Sequence, residues 1–109
     1  MKFIFKITTK EGDSEQDYID AWGKGSSIIQ GSNGAQGTIL YRKINEPGVF
    51  FAIATWESKE ARDIAMKKLD LLVPEFQVIL NKHKECGNIE VLGNFEEVAR
   101  VNSKDYDSR

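Results

Sequence analysis

The sequence predicts an α+β domain of the ferredoxin-like type, in which helices cover one face of a four-stranded antiparallel sheet. Strand-like alternation of apolar residues occurs in four segments, and helical periodicity follows the first and the third of them. The resulting order is β-α-β-β-α(α)-β, the split βαβ pattern. A chain of 109 residues has the size of one domain. We therefore expect a single domain over residues 1–109, with a polar tail at 103–109.

The first strand and helix are predicted from residues 2–30. Apolar side chains alternate with others over residues 2–9, and a turn follows at 10–12. Asp13 or Ser14 can cap the following helix. Its apolar stripe consists of Tyr18, Ile19, Trp22, Ser26 and Ile29. The two glycines inside this helix predict a middle that is weak or closely packed.

The centre of the chain predicts two strands joined by a hairpin connection. A glycine-containing turn at 31–34 precedes a strand over residues 37–45. The connection at 46–48 leads to a third strand over residues 49–56, which is apolar on both faces. A strand of this kind is normally covered on both sides.

The second half of the chain predicts two helices and a last strand. Ser58 is the expected N-cap of a helix, and Pro74 both ends that helix and begins another that runs to residue 85. The first of the two has the predicted inward face Ala61, Ile64, Ala65, Leu69 and Leu72. The second has the predicted inward face Phe76, Ile79, Leu80 and His83. The last strand is expected over residues 89–101, with a bulge at 93–94.

Composition excludes several classes of partner. Fifteen Lys and Arg against 17 Asp and Glu give a net charge of −2, so the chain lacks the basic excess that nucleic-acid binding needs. The longest apolar run, Val49–Ala54, is far too short to span a membrane, and the first residues do not resemble a signal peptide. Cys86 is the single cysteine, so no intrachain disulfide can form. These observations predict a cytoplasmic protein.

The third strand also predicts a homodimer. Val49, Phe51 and Ile53 lie on the face opposite Trp56. If Trp56 faces the helices, these three side chains face outward, and each forfeits about 1.5–3 kcal/mol when it stays in water. An identical sheet from a second copy would cover them in a two-fold interface.

Two segments resemble a known family. Residues 54–61 (ATWESKEA) join a strand-end Trp to a charged helix start, and residues 33–42 (NGAQGTILYR) join a glycine turn to a strand. With the amphipathic first helix, they resemble the antibiotic biosynthesis monooxygenase-like family of dimeric α+β barrels. The resemblance covers residues 2–70 and extends to the rest by element order. Because that superfamily includes oxygenases, haem-degrading enzymes and isomerase-like members, it implies a fold more strongly than an activity.

Haem degradation is disfavoured by the residues themselves. The haem-degrading branch uses an Asn near the end of the first strand, a Trp on the third strand and a His on the next helix. Trp56 matches, but Ile7 and Met66 stand at the other two positions.

The cofactor-independent oxygenases of the family imply a different site. They hold a flat phenolic substrate between sheet and helices and use no metal or cofactor. The walls of such a chamber would be Phe3, Phe5, Tyr18, Trp22, Phe50, Ala52 and Ala54. The candidate catalytic hydrogen-bond donors are Trp56, Tyr41 and Arg42. Strand register decides which of these residues face the chamber.

Other interpretations remain open at this point. The same fold could serve as a non-catalytic small-molecule-binding or accessory protein, because no nucleophile has a base beside it in the sequence. An isomerase or lyase that uses Asp17 as its base is a third alternative. The aromatic candidates could simply pack the core, and Arg42 could extend to solvent at a sheet edge. His83 and Cys86 are two metal-ligand types one helical turn apart, but no second cluster completes a site, so no metal is expected.

Overall fold

The computed structural model describes residues 1–10 and 14–103 and has the predicted ferredoxin-like α+β architecture. Its elements are β1 (Lys2–Thr9), α1 (Glu15–Ile29), β2 (Ala35–Arg42), β3 (Val49–Trp56), α2 (Lys59–Leu72), α3 (Pro74–Glu85) and β4 (Gly87–Phe95). The strands form one antiparallel sheet in the order β2-β3-β1-β4. No helix in the described ranges is both long enough and apolar enough to cross a membrane.

The helices begin where the capping chemistry predicts. The Ser14 hydroxyl accepts a hydrogen bond from the Asp17 backbone N–H at 3.3 Å, and Ser58 caps α2 by accepting from the Ala61 N–H at 3.0 Å. Helix α3 has no side-chain cap and starts instead with Pro74, whose missing N–H leaves one fewer group to satisfy. The alternative cap Asp13, and residues 11 and 12 of the predicted turn, lie outside the described residues.

Strand register puts the largest aromatic side chains on the helix-covered face. Ile7 of β1 lies opposite Phe50 of β3, and Phe5 lies opposite Ala52. Ile7, Phe50 and Ala52 form a fully buried cluster together with Tyr18 of α1. The alternation of β3 therefore turns its even-numbered side chains toward the helices.

Two glycines allow elements to pack closely beside this core. A Cβ on Gly25 of α1 would lie 3.1 Å from Ile79 of α3, so the two helices meet at a position without a side chain. Gly34 has φ +87°, and a Cβ there would come within 2.7 Å of the Ala61 Cβ. The closely packed middle predicted for α1 is thus confirmed at Gly25.

The predicted ends of two strands are wrong. The second strand covers 35–42 rather than 37–45, because the chain turns after Lys43: the Glu46 N–H donates to the Lys43 carbonyl, and Asn45 has φ +68°. The last strand covers 87–95 rather than 89–101. Its bulge lies one residue earlier than predicted, since Ile4 pairs with Gly93 while Phe5 pairs with Val91.

Three side chains differ from the predicted burial. Ile64 and Leu72 are 56% and 74% exposed, because α2 buries a narrow i, i+4 stripe that contains Ala65 and Leu69. Val49, predicted on the exposed outer face with Phe51 and Ile53, is only 4% exposed. It lies at the end of β3 where the neighbouring Gly48 is hydrogen-bonded to both β1 and α1.

Candidate functional site

A cavity of about 180 Å³ lies between the sheet and the three helices. The sheet lines it with Phe3, Phe5, Thr38, Ala54, Trp56, Ile89 and Val91. The helical layer lines it with Ala21, Trp22, Gly25, Ser26, Ile29, Gln30, Arg62, Met66, Ile79, Leu80 and His83. Its walls are therefore mainly aliphatic and aromatic, with a few polar side chains. Such a composition is typical of sites for small organic molecules.

Trp56 is held firmly at the end of β3. Its backbone N–H donates to the Met1 carbonyl at 2.8 Å, and the N–H of the next residue, Glu57, donates to the Gly34 carbonyl at 2.8 Å. These bonds fix the strand end against β1 and against the loop before β2. Trp56 is 1% exposed and lines the cavity from the sheet side. Its indole N–H is a donor without acceptor capacity, which suits a ligand oxygen.

The structure brings together five of the ten predicted site residues. Phe3, Phe5, Trp22, Ala54 and Trp56 all line the cavity. Tyr18, Phe50 and Ala52 belong to the buried cluster beside it and do not line it. The aromatic walls thus come from alternate positions of β1 and β3, together with Trp22 of α1.

The other two predicted residues lie away from the cavity. Tyr41 is on the outer face of the sheet, opposite Phe51 of β3, and is half exposed. Arg42 is on the helix-covered face but at the edge strand, where its guanidinium lies 5.6 Å from the centre of the Phe50 ring. It pairs with Glu15 at 3.4 Å. Neither side chain lines the cavity.

His83 of the cavity wall is hydrogen-bonded to Tyr18 of the neighbouring buried cluster. The Tyr18 hydroxyl and His83 Nε2 are 2.7 Å apart, and the two rings are tilted against each other at 4.9 Å. Burial raises the pKa of Tyr18 well above its ordinary value and lowers the pKa of His83 to about 4. Both groups are therefore neutral near pH 7. The phenol is then the natural donor to Nε2, which leaves the proton of the imidazole on Nδ1.

Arg62 of α2 is the charged side chain of the cavity wall. Its guanidinium carbon lies 3.6 Å from the centre of the Phe3 ring, in a cation–π contact. Burial lowers the pKa of Arg62 by disfavouring its charged form, and none of the ion pairs found among the described residues includes it.

Gln30, which caps the end of α1, supplies an amide to the wall. Its Oε1 accepts the Gly37 N–H at 2.7 Å, while its Nε2 is shielded from solvent and has no hydrogen-bond partner in the described part of the chain. A buried N–H group without a hydrogen-bond acceptor lowers the stability of the fold.

Sequence reasoning did not identify Arg62, Gln30 or His83 as site residues, although it placed His83 on an inward face. Helical spacing contained a signal for the first two. Gln30 continues the stripe of Trp22 and Ser26 by one i+4 step, and Arg62 is one i+4 step before Met66. Polar side chains at such positions usually face solvent, so the spacing alone does not indicate a site role for either residue.

The positions compared with haem-degrading enzymes have different surroundings. Ile7 is fully buried in the core cluster, whereas Met66 lines the cavity. Within residues 1–10 and 14–103, no three side chains of His, Cys, Asp or Glu come together as a set of metal ligands.

Solved structures with a similar fold include one cofactor-independent oxygenase and proteins provisionally assigned as monooxygenases. SnoaB, a cofactor-independent oxygenase from Streptomyces nogalater, superposes with a TM-score of 0.75 at 14% identity, over 90% of this chain and 93% of that one. The chain has the fold of the antibiotic biosynthesis monooxygenases. A protein from Bordetella bronchiseptica provisionally assigned to that group gives 0.69 at 18% identity, over 89% and 96% of the two chains. No protein-family model matches the sequence, and no curated protein matches it significantly.

Proposed function

We propose that this protein is a cofactor-independent oxygenase of the antibiotic-biosynthesis type, which oxidises a small hydroxylated aromatic compound in the cavity. The observation that carries the proposal is an apolar chamber between sheet and helices that contains Trp22, Trp56 and few polar groups. The similarity in fold to SnoaB supports it, because that protein is a cofactor-independent oxygenase.

The chemistry requires the substrate itself to reduce dioxygen. In the overall reaction the substrate loses two hydrogens and gains one oxygen, and the second oxygen atom leaves as water. No electrons come from the protein. Its task is to enclose the substrate and to stabilise the anion that forms when the hydroxyl proton leaves. Trp56, Arg62 and His83 are lining residues whose side chains carry N–H groups, and we propose that these groups stabilise that anion.

The size of the cavity favours a substrate of one substituted ring. A cavity of about 150 Å³ is known to hold benzene. The 180 Å³ here leaves room for a ring with small substituents. A larger fused system would extend beyond this volume.

Dioxygen uptake by the purified protein tests the proposal. One-ring phenols and hydroquinones should consume dioxygen and yield products that have gained one oxygen and lost two hydrogens. Ala54→Leu should abolish uptake, because Ala54 lines the cavity and the larger side chain fills it. Ala99→Leu is the matched control, since Ala99 is exposed. If none of these compounds causes uptake above the protein-free rate, the oxygenase proposal is refuted.

A second candidate function is ligand binding without catalysis. The observation that favours it is the Tyr18–His83 pair, because an imidazole with its pKa lowered to about 4 is a weak base and its Nε2 is already engaged. Saturable binding of phenols without dioxygen uptake would support this alternative.

We further propose that two copies associate through the outer sheet face, in the cytoplasm. Ile39 and Tyr41 are 54% and 50% exposed, and they lie directly opposite Ile53 and Phe51 of β3. Contiguous apolar surface of this kind is unusual on a protein that remains a monomer. The single cysteine, Cys86, fits a reducing compartment.

Light scattering tests the dimer. Ile39→Lys should give a monomer, because it places a charge on the apolar surface of the proposed interface. Ile64→Lys is the matched control, since Ile64 is 56% exposed on α2, on the helical layer. A monomeric wild-type protein at micromolar concentration would contradict the proposal.

A further inference from the structure

The charge on the cavity wall has one sign. Arg62 is the formally charged member of the lining near pH 7, since His83 is neutral there, and the lining contains no carboxylate. The guanidinium carbon lies over the Phe3 ring at 3.6 Å, and Arg62 takes part in none of the ion pairs found among the described residues, although the Asp63 carboxylate is near enough to favour its charged form. An arginine held in this way is suited to bind an anion in its plane.

Gln30 provides a second, independent signal. The hydrogen bond from the Gly37 N–H identifies the amide oxygen, because a backbone N–H needs an acceptor. The other end of the amide is therefore the NH₂ group, and that nitrogen is the buried donor without a partner. A ligand oxygen at this place would satisfy it.

Strand register relates the two groups in space. Phe3, Ala54 and Thr38 are aligned across β1, β3 and β2. Neighbouring strands are about 4.8 Å apart, so the two ends of this row are separated by about 10 Å. Arg62 lies above the Phe3 end, and Gln30 is bonded to Gly37 at the other end. A row of this length accommodates one aromatic ring with a substituent at each end.

We propose that the cavity selects a single-ring aromatic acid, whose carboxylate pairs with Arg62 and whose opposite oxygen accepts a hydrogen bond from Gln30 Nε2. The inference rests on the binding site of the proposed function but is independent of the oxidation step. Arg62 and Gln30 would then select for an acid, which aromatic walls alone would not do.

Calorimetric titration with two probes of the same shape tests the inference. Para-hydroxybenzoate carries the carboxylate, and para-hydroxybenzamide is its neutral analogue. The wild-type protein should bind the acid about tenfold or more tightly than the amide, because hydrogen bonds to a charged group are stronger. Arg62→Gln should weaken binding of the acid by about tenfold to a hundredfold and change binding of the amide by less than about threefold. Lys68→Gln removes an equal charge from the exposed face of the same helix and should change neither.

Gln30→Glu tests the other end of the ligand. The new side chain still accepts the Gly37 N–H but replaces the free donor by a carboxylate oxygen, so the acid should lose about tenfold or more in affinity. Two results overturn the inference while leaving the oxygenase proposal intact. One is equal affinity of the wild-type protein for the acid and the amide, and the other is an equal loss of affinity for both compounds in Arg62→Gln. If the wild-type protein binds neither the acid nor the amide, the inference is overturned as well. Tight binding of the acid without dioxygen uptake upholds the inference and counts against the oxygenase proposal alone.

Discussion

Protonation of His83 should destabilise the fold. The imidazole packs between the Tyr18 ring and the Phe5 ring, and its Nε2 is bound to the Tyr18 hydroxyl at 2.7 Å. Burial lowers its pKa in the folded chain to about 4, against an ordinary value of 6.5. Between these two values the unfolded chain binds a proton that the folded chain does not. The free energy of unfolding must therefore fall as the pH is lowered through this range.

The magnitude follows from the size of the pKa difference. One pKa unit corresponds to about 1.4 kcal/mol, so the shift of His83 would amount to about 3 kcal/mol for a fully enclosed group. The ring is only half-buried, and partial screening by solvent reduces the expected loss to about 2 kcal/mol. For a domain of this size, that loss lowers the midpoint of urea unfolding by about 1 M.

Urea unfolding at a series of pH values measures the effect, and His83→Gln is the comparison. Glutamine can still accept the Tyr18 hydrogen bond but does not titrate in this range. Because His83 is the single histidine of the chain, the difference between the two pH profiles isolates its contribution. Parallel profiles between about pH 6.5 and pH 4 would refute the assignment of a neutral, buried imidazole.

Three further substitutions test other parts of the structure. Gly34→Ala should destabilise the protein by about 2 kcal/mol or more in chemical unfolding, because φ is +87° and the new Cβ meets Ala61. A loss of less than about 1 kcal/mol in the free energy of unfolding would contradict this reasoning. Gly23→Ala should instead stabilise it by about 0.5–1 kcal/mol, since that helix position is open, and a loss of stability would contradict the packing described for α1. Ser58→Ala should cost about 1 kcal/mol through loss of the α2 cap, as thermal unfolding can show; an unchanged midpoint would argue against that cap.

The elements that the sequence predicted to the residue have strong local boundaries. Strand β3 and helix α3 match their predicted ranges, because Gly48 precedes the first and Pro74 begins the second. The end of β4 could not be predicted in this way. Val98 and Val101 continue an apolar pattern but are 88% and 81% exposed, since β1 pairs with β4 only as far as Phe95.

The candidate site was predictable where it depends on alternation along a strand. Phe3, Phe5, Ala54 and Trp56 share one face because of the two-residue period of a strand. Helical spacing places Gln30 and Arg62 in line with other residues of the wall, but the rotation of the two helices about their axes decides whether these side chains face the cavity, and the apolar pattern does not specify that rotation. Tertiary packing alone determines that this arginine covers an aromatic ring.

The central claim is that a small aromatic molecule occupies the space between the sheet and the helices. The chain has two tryptophans, Trp22 and Trp56, and both line that space. Their indole N–H signals in a nitrogen–proton correlation spectrum therefore report on it directly. Addition of para-hydroxybenzoate or para-hydroxybenzamide should shift both signals in the wild-type protein and neither in Ala54→Leu. Signals that stay in place at saturating concentrations of both compounds would contradict the claim.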